Sequence, residues 1–156
     1  MSTIEKSIEV NVPVRTAYNQ WTQFESFPQF MEGVQSVRQL DDSHLHWKAE
    51  IGGTVREWDA EITDQEPDRH IAWRSTDGQP IAGDVRFEPM GAESCRVTLM
   101  MDYEPEGLRE QIGDKLGFVD ARVKGDLERF KDFVEQRGAP TGAYRGEIEG
   151  GREVRP

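Results

Sequence analysis

His44 to Gln65 reads HLHWKAEIGGTVREWDAEITDQ, two runs of alternating apolar and charged residues about a Gly-Gly pair. Alternation at period two marks a strand with one face buried and the other in water. If Gly52-Gly53 is a two-residue hairpin loop, Ile51 faces Thr54, Ala49 faces Arg56, Trp47 faces Trp58 and Leu45 faces Ala60. The same register opposes Lys48 to Glu57 and His46 to Asp59 on the other side. Both faces are self-consistent, which a one-residue slip would destroy.

The next turn, EPDR, carries Pro67 where a type I turn favours it, and its register pairs Ile62 with Trp73 and Ala60 with Ser75. The apolar face therefore extends to a third strand. Ile81, Gly83, Val85 and Phe87 alternate with Ala82, Asp84, Arg86 and Glu88. Cys95, Val97, Leu99, Met101 and Tyr103 continue the pattern, so the centre of the chain is a long antiparallel meander. Upstream, Ile4, Ile8, Val10 and Val12 alternate as a first strand, with Lys6 the exception on its apolar side. Pro13 opens a helix through Val14, Ala17, Tyr18 and Trp21, and FESFPQFMEGV continues as a short aromatic helix or turn ending near Gly33.

After Pro105 the period lengthens. Leu108, Ile112, Leu116, Val119, Val123, Leu127, Phe130 and Val134 fall three or four residues apart, which predicts one long amphipathic helix stopped at Gly138. A curved sheet with one apolar face and a helix with a matching stripe bury each other. Residues 1–138 are expected to form one domain, and 139–156, without buriable periodicity, a polar tail on which Tyr144 alone could dock.

Composition narrows the partners. With 19 basic and 30 acidic residues the net charge is -11, which repels phosphate backbones and excludes nucleic acid as an expected partner. Apolar runs are far shorter than the roughly 20 residues a membrane helix needs, and the start of the chain lacks a signal-peptide core. A soluble, cytoplasmic protein with no stable membrane insertion is expected. Cys95 is the single cysteine, set in a strand, and reads as an inert buried thiol.

The stretches WTQFESFPQFMEGV, HWKAEIGGTVREWDAEI, IAWRSTDG, and GDKLG followed by RVKGDLERFKDFVEQRG resemble the START-like (SRPBCC) superfamily of polyketide cyclases/dehydrases and coenzyme-Q-binding proteins. The resemblance spans residues 1–138. It implies an α+β helix-grip (START/Bet v 1-like) fold, a curved antiparallel sheet wrapped around a long C-terminal helix. It also implies a mainly apolar tunnel between sheet and helix that holds hydrophobic or aromatic small molecules.

The facing pattern selects the candidate ligand-binding residues. Trp47, Trp58, Trp73, Phe87 and Tyr103 are the aromatic groups on the inward face, and Thr54, Arg56 and Ser75 are polar groups on the same face, with Lys6 a further candidate. An inward Arg56 must pair with a carboxylate, reach solvent at the strand end or meet a ligand, because an unpaired buried guanidinium is costly. Its place three residues from the hairpin turn favours the rim. A cavity of roughly 300 Å³ or more is expected for ligand binding.

Other chemistries lack a motif. His44 and His46 share a strand face with Asp59 and Glu61 nearby, but that face meets solvent, so no metal is expected. No nucleophile elbow, phosphate loop or CxxC occurs, and no cofactor is called for. The leading reading is a carrier of a polyketide, quinone or lipid-like metabolite, the acidic balance weighing against a quinone carrier that docks on anionic lipid. A polyketide aromatase/cyclase is the alternative, with Arg56, Ser75, Tyr103 and Tyr18 as groups that could steady an enolate or move a proton. A protein-interaction module using Phe24 to Met31 and the tail is a third reading. Edge-strand pairing leaves a homodimer open, although Lys and Glu along the first strand weigh against it.

Overall fold

The computed structural model describes residues 2–51, 54–77, 81–103 and 116–155. Its elements run β1 (Ser2–Val10), α1 (Val14–Trp21), a 3-10 turn (Phe24–Gln29), β2 (Val34–Asp41), β3 (His44–Ile51), β4 (Thr54–Glu66), β5 (His70–Ser75), β6 (Ile81–Gly91), β7 (Ser94–Tyr103), α2 (Leu116–Arg137), β8 (Glu147–Glu149) and β9 (Arg152–Arg155). Strands β1-β7-β6-β5-β4-β3-β2 lie in that order, each pair antiparallel. The chain is thus an α+β helix-grip protein, a curved sheet closed by α1, the 3-10 turn and α2.

The registers read from the turns are those of the fold. Trp47 pairs with Trp58, Lys48 with Glu57 and His46 with Asp59; Ile62 pairs with Trp73 and Ala60 with Ser75. The loop residues Gly52 and Gly53 themselves lie outside the described residues. Past Ile62 a bulge shifts β4 by one residue against β5, and Asp68 takes φ 65 in the turn that follows. A bulge adds twist and turns the strand, which here lets the far end of β4 meet a different partner.

That partner is the largest departure from expectation. The stretch after Gly138, read as a polar tail, folds back as the hairpin β8–β9 on β4, pairing Gln65 with Ile148 and Asp64 with Glu149. Ile148 is 1% exposed. Arg145 forks onto Asp68 at 2.7 and 2.8 Å and reaches Asn19 at 2.8 Å, while Thr141 and Gln20 exchange two hydrogen bonds. The signal was Gly150-Gly151, with φ 59 and 81, the paired positive values of a two-residue hairpin loop. It is the same cue as Gly52-Gly53, but flanked by strands too short to show periodicity.

The core follows the stripes. Val123, Leu127, Phe130 and Val134 of α2 are buried against Ile4, Val10, Ile71, Val85 and Val97 of the sheet. Gly138, at φ 70, ends the helix and donates its N–H to Val134 O at 3.0 Å. Leu108 and Ile112, expected as its first turns, lie outside the described residues. The aromatic turn residues Phe24, Phe27 and Phe30 are all buried in the same core, so the segment proposed for partner binding is turned inward.

Candidate functional site

Between the concave face of the sheet and α2 lies a cavity of about 180 Å³. Its sheet wall is apolar, and three indoles dominate it: Trp47 on β3, Trp58 on β4 and Trp73 on β5. Trp47 and Trp58 stack as a cross-strand pair, centroids 5.9 Å apart and planes within 3°. Trp73 lies opposite Gly83 of β6, and a Cβ there would run into the indole, so only glycine leaves the ring its place. Trp21, Phe24, Phe27 and Met31 roof the space, and Val123 and Leu127 supply the helix wall.

The volume is smaller than the roughly 300 Å³ expected. The roof explains the difference. Trp21, Phe27, Phe30 and Phe130 form an edge-to-face cluster with centroids 4.9–5.6 Å apart, filling the end of the space that periodicity alone left hollow.

Of the residues picked from the inward pattern, Trp47, Trp58 and Trp73 come together on the cavity. Phe87 does not line it; its ring packs edge-on to Tyr18 at 5.4 Å and Trp21 at 6.2 Å, one layer deeper in the core. Thr54 is exposed at the strand start, and Ser75 uses its hydroxyl to accept from Ile81 N at 3.1 Å; neither reaches the cavity. Lys6 and Tyr18 are also absent from its lining. The Tyr18 hydroxyl accepts from Gln65 Nε2 at 3.0 Å, and burial pushes its pKa up to about 12, which unsuits it to proton transfer near neutrality. Tyr103 pairs with Ser2 and Ile81, and its side chain lies outside the described residues.

Arg56 is half-buried beside Trp58 on β4, outside the lining, and its Nε is buried without a hydrogen bond. Trp47 Nε1 is in the same condition. Two unpartnered donors around one cavity are unusual in a folded chain, where buried polar atoms are nearly always paired.

The polar end of the cavity was not visible in the strand pattern. It is built by Glu32, Arg122 and Asp126. Arg122 donates to Glu32 O at 2.8 Å and approaches Glu50 O at 3.5 Å, and Gly33, at φ 86, leaves the guanidinium room that a side chain would take. Asp126 Oδ1 accepts from Glu32 N at 3.1 Å and Arg129 Nη2 at 2.5 Å, while Arg129 Nε donates to Phe30 O at 2.8 Å. Burial pushes the Asp126 pKa up to about 6, against the pull of Arg129 and the Glu32 N–H. Each of Arg122 and Asp126 directly precedes a stripe residue, Val123 and Leu127, and so flanks the buried face by one helical step of roughly 100°. That adjacency was the available cue.

On the outer face His46 sits between Asp59 at 2.7 Å and Glu57 at 3.0 Å, and His44 contacts Asp41 at 2.8 Å. Among the described residues no group of three or more His, Cys, Asp or Glu is arranged to hold a metal ion. Cys95 is buried, which pushes its thiol pKa up to about 11.

Comparison with known proteins agrees with this geometry. A 17.2 kDa protein of the melC2-rnhH intergenic region of Streptomyces lincolnensis is 52% identical over 149 residues, covering 95% of this chain and 99% of that one. The crystal structure of the Zhui aromatase/cyclase from a Streptomyces species superposes with TM-score 0.76 at 16% identity, covering 92% of this chain and 99% of that one. A START superfamily protein from Mycobacterium smegmatis superposes with TM-score 0.66 at 18% identity, covering 86% of this chain and 95% of that one. At such identities these two likenesses show the fold. The profile of the family described as polyketide cyclase / dehydrase and lipid transport matches residues 10–132, so the chain belongs to that family.

Proposed function

We propose that the protein binds a small hydrophobic or aromatic molecule in the cavity between sheet and α2. The observation that carries this reading is the tryptophan-walled hollow of about 180 Å³ between the sheet and α2. An apolar cavity of roughly 150 Å³ already takes up benzene, so the space suits one or two rings or a short acyl segment. Among the described residues no helix is long and apolar enough to cross a membrane, which suits a carrier working in the cytoplasm. Native mass spectrometry of the protein purified from cells tests this. A copurified small molecule, displaced when Trp58→Ala is introduced, is the expected result; an empty protein that also fails to take up any aromatic probe would overturn it.

A second reading, ring closure and dehydration of a poly-β-ketone, is favoured by one specific observation: the unpartnered Nε of Arg56 near the same cavity. A guanidinium N–H that lacks a hydrogen-bond partner is suited to a developing enolate. Product formation from a linear poly-β-ketone, lost in Arg56→Ala, supports it; turnover unchanged in that variant removes Arg56 from the chemistry.

A further inference from the structure

We propose that Asp126 sets the specificity of the cavity, its Oδ2 accepting a hydrogen bond from a hydroxyl, phenolic or enolic, on an otherwise apolar ligand. The inference rests on the small-molecule reading above and adds the chemical feature that reading leaves open.

The polar side chains lining the cavity are Glu32, Arg122 and Asp126, and they differ in what remains to them. Glu32 is mostly in solvent, with its side chain 70% exposed. Arg122 directs its guanidinium at the carbonyls of Glu32 and Glu50. Asp126 is different: its side chain is only 15% exposed, and both of its hydrogen bonds, from Glu32 N and Arg129 Nη2, fall on Oδ1. Oδ2 carries none among the described residues. A carboxylate offers about four acceptor positions, so in a residue that lines the hollow at least half of that capacity is unused among the described residues.

A guest of pure hydrocarbon would strip water from that oxygen and return nothing. A guest with a hydroxyl would replace the lost bond, and a bond to a charged acceptor discriminates strongly, by about tenfold or more in affinity. An ammonium is less suited. Arg122 and Arg129 already stand close enough to act on the Asp126 carboxyl, so an incoming cation meets two like charges, whereas a neutral hydroxyl does not. Position reinforces the assignment. Asp126 lies on α2 beside Leu127, across the cavity from the indole wall, so a ring held by the tryptophans presents its opposite edge to the helix.

The test uses the full chain, 4-ethylphenol and its methyl ether 4-ethylanisole, measured by isothermal titration calorimetry. The isosteric variant Asp126→Asn keeps an acceptor oxygen for Glu32 N and Arg129 and puts an amide N–H₂ where Oδ2 stood. Both probes can accept from that amide and neither gains by donating to it. The expected result is a preference for the phenol of about tenfold or more in the wild type, collapsing to near unity in D126N. Equal affinities in the wild type, or a preference that survives in D126N, overturn the assignment to Asp126 and leave the cavity reading standing. Failure of both probes to bind overturns the cavity reading and this inference together. If D126N loses its fold, the wild-type ratio still decides against the proposal when it is near unity, and Asp126→Ser serves as the second variant.

Discussion

His46 shows how a single outward side chain ties this fold to pH. The hydrogen bond that its ring donates to Glu57, then the one donated to Asp59, raises its pKa above the ordinary histidine value, because both carboxylates favour the imidazolium. A raised pKa in the folded state means that the folded chain binds the proton more tightly than the unfolded chain. The stabilisation is therefore full below the unfolded value of about 6.5 and is lost as pH rises through the folded value. Thermal melts of wild type and His46→Gln should differ most near about pH 5.5 and converge towards about pH 8.5. A difference constant across that window would show the carboxylates to be indifferent to the ring. The effect is small because the group is well solvated and salt screens it. Sequence register already set His46 against Asp59; that Glu57 closes on its other nitrogen depends on rotamers, which period-two alternation does not report.

Elements show the same division. The β3–β4 hairpin was legible because a two-residue loop and a period of two together allow one register, and Trp47 against Trp58 follows from it. The strand and face of Trp73 were legible in the same way, but the seat of its ring was not, since it depends on an empty place at Gly83 on the neighbouring strand. Gly83→Ala should push the indole off that strand, cost about 1–3 kcal/mol and weaken binding of any ring guest. Urea unfolding and ligand titration of the same variant check it, and unchanged values in both would show that the close approach is not required. The β8–β9 hairpin was missed because three- and four-residue strands carry too few alternations to separate from a loop. Ile148→Ala should cost about 2–4 kcal/mol, as expected for an aliphatic side chain deleted from a closed site. A cost below about 0.5 kcal/mol in urea unfolding would place this segment outside the cooperative unit.

At the scale of the whole molecule, the hollow is a weakness that the proposed ligand would repair. Closing it with a guest that binds the folded state alone stabilises the chain by about 2.7 kcal/mol at a hundredfold excess over Kd. For a chain of this length that corresponds to a rise in Tm of roughly 5–10 °C, readable by differential scanning calorimetry with 4-ethylphenol as the guest. No rise at saturating probe would argue that the cavity stays shut to it. Net charge of -11 acts at the same scale, repelling like charges at long range without discriminating among neutral molecules.

The amino-acid sequence by itself determined the meander, its registers, the stripe on the terminal helix and hence the helix-grip layering, because backbone periodicity and turn chemistry are local and each has few solutions. Only the tertiary structure decided the size of the hollow, the inward packing of Phe27, the place of Phe87 deeper in the core rather than on the cavity, the docking of Ile148 on β4 and the arrival of Asp126 at the cavity that the tryptophans line. These depend on which side chains from distant segments occupy the same volume. Packing is a property of the assembled chain, and no local pattern encodes what is left over when it is complete.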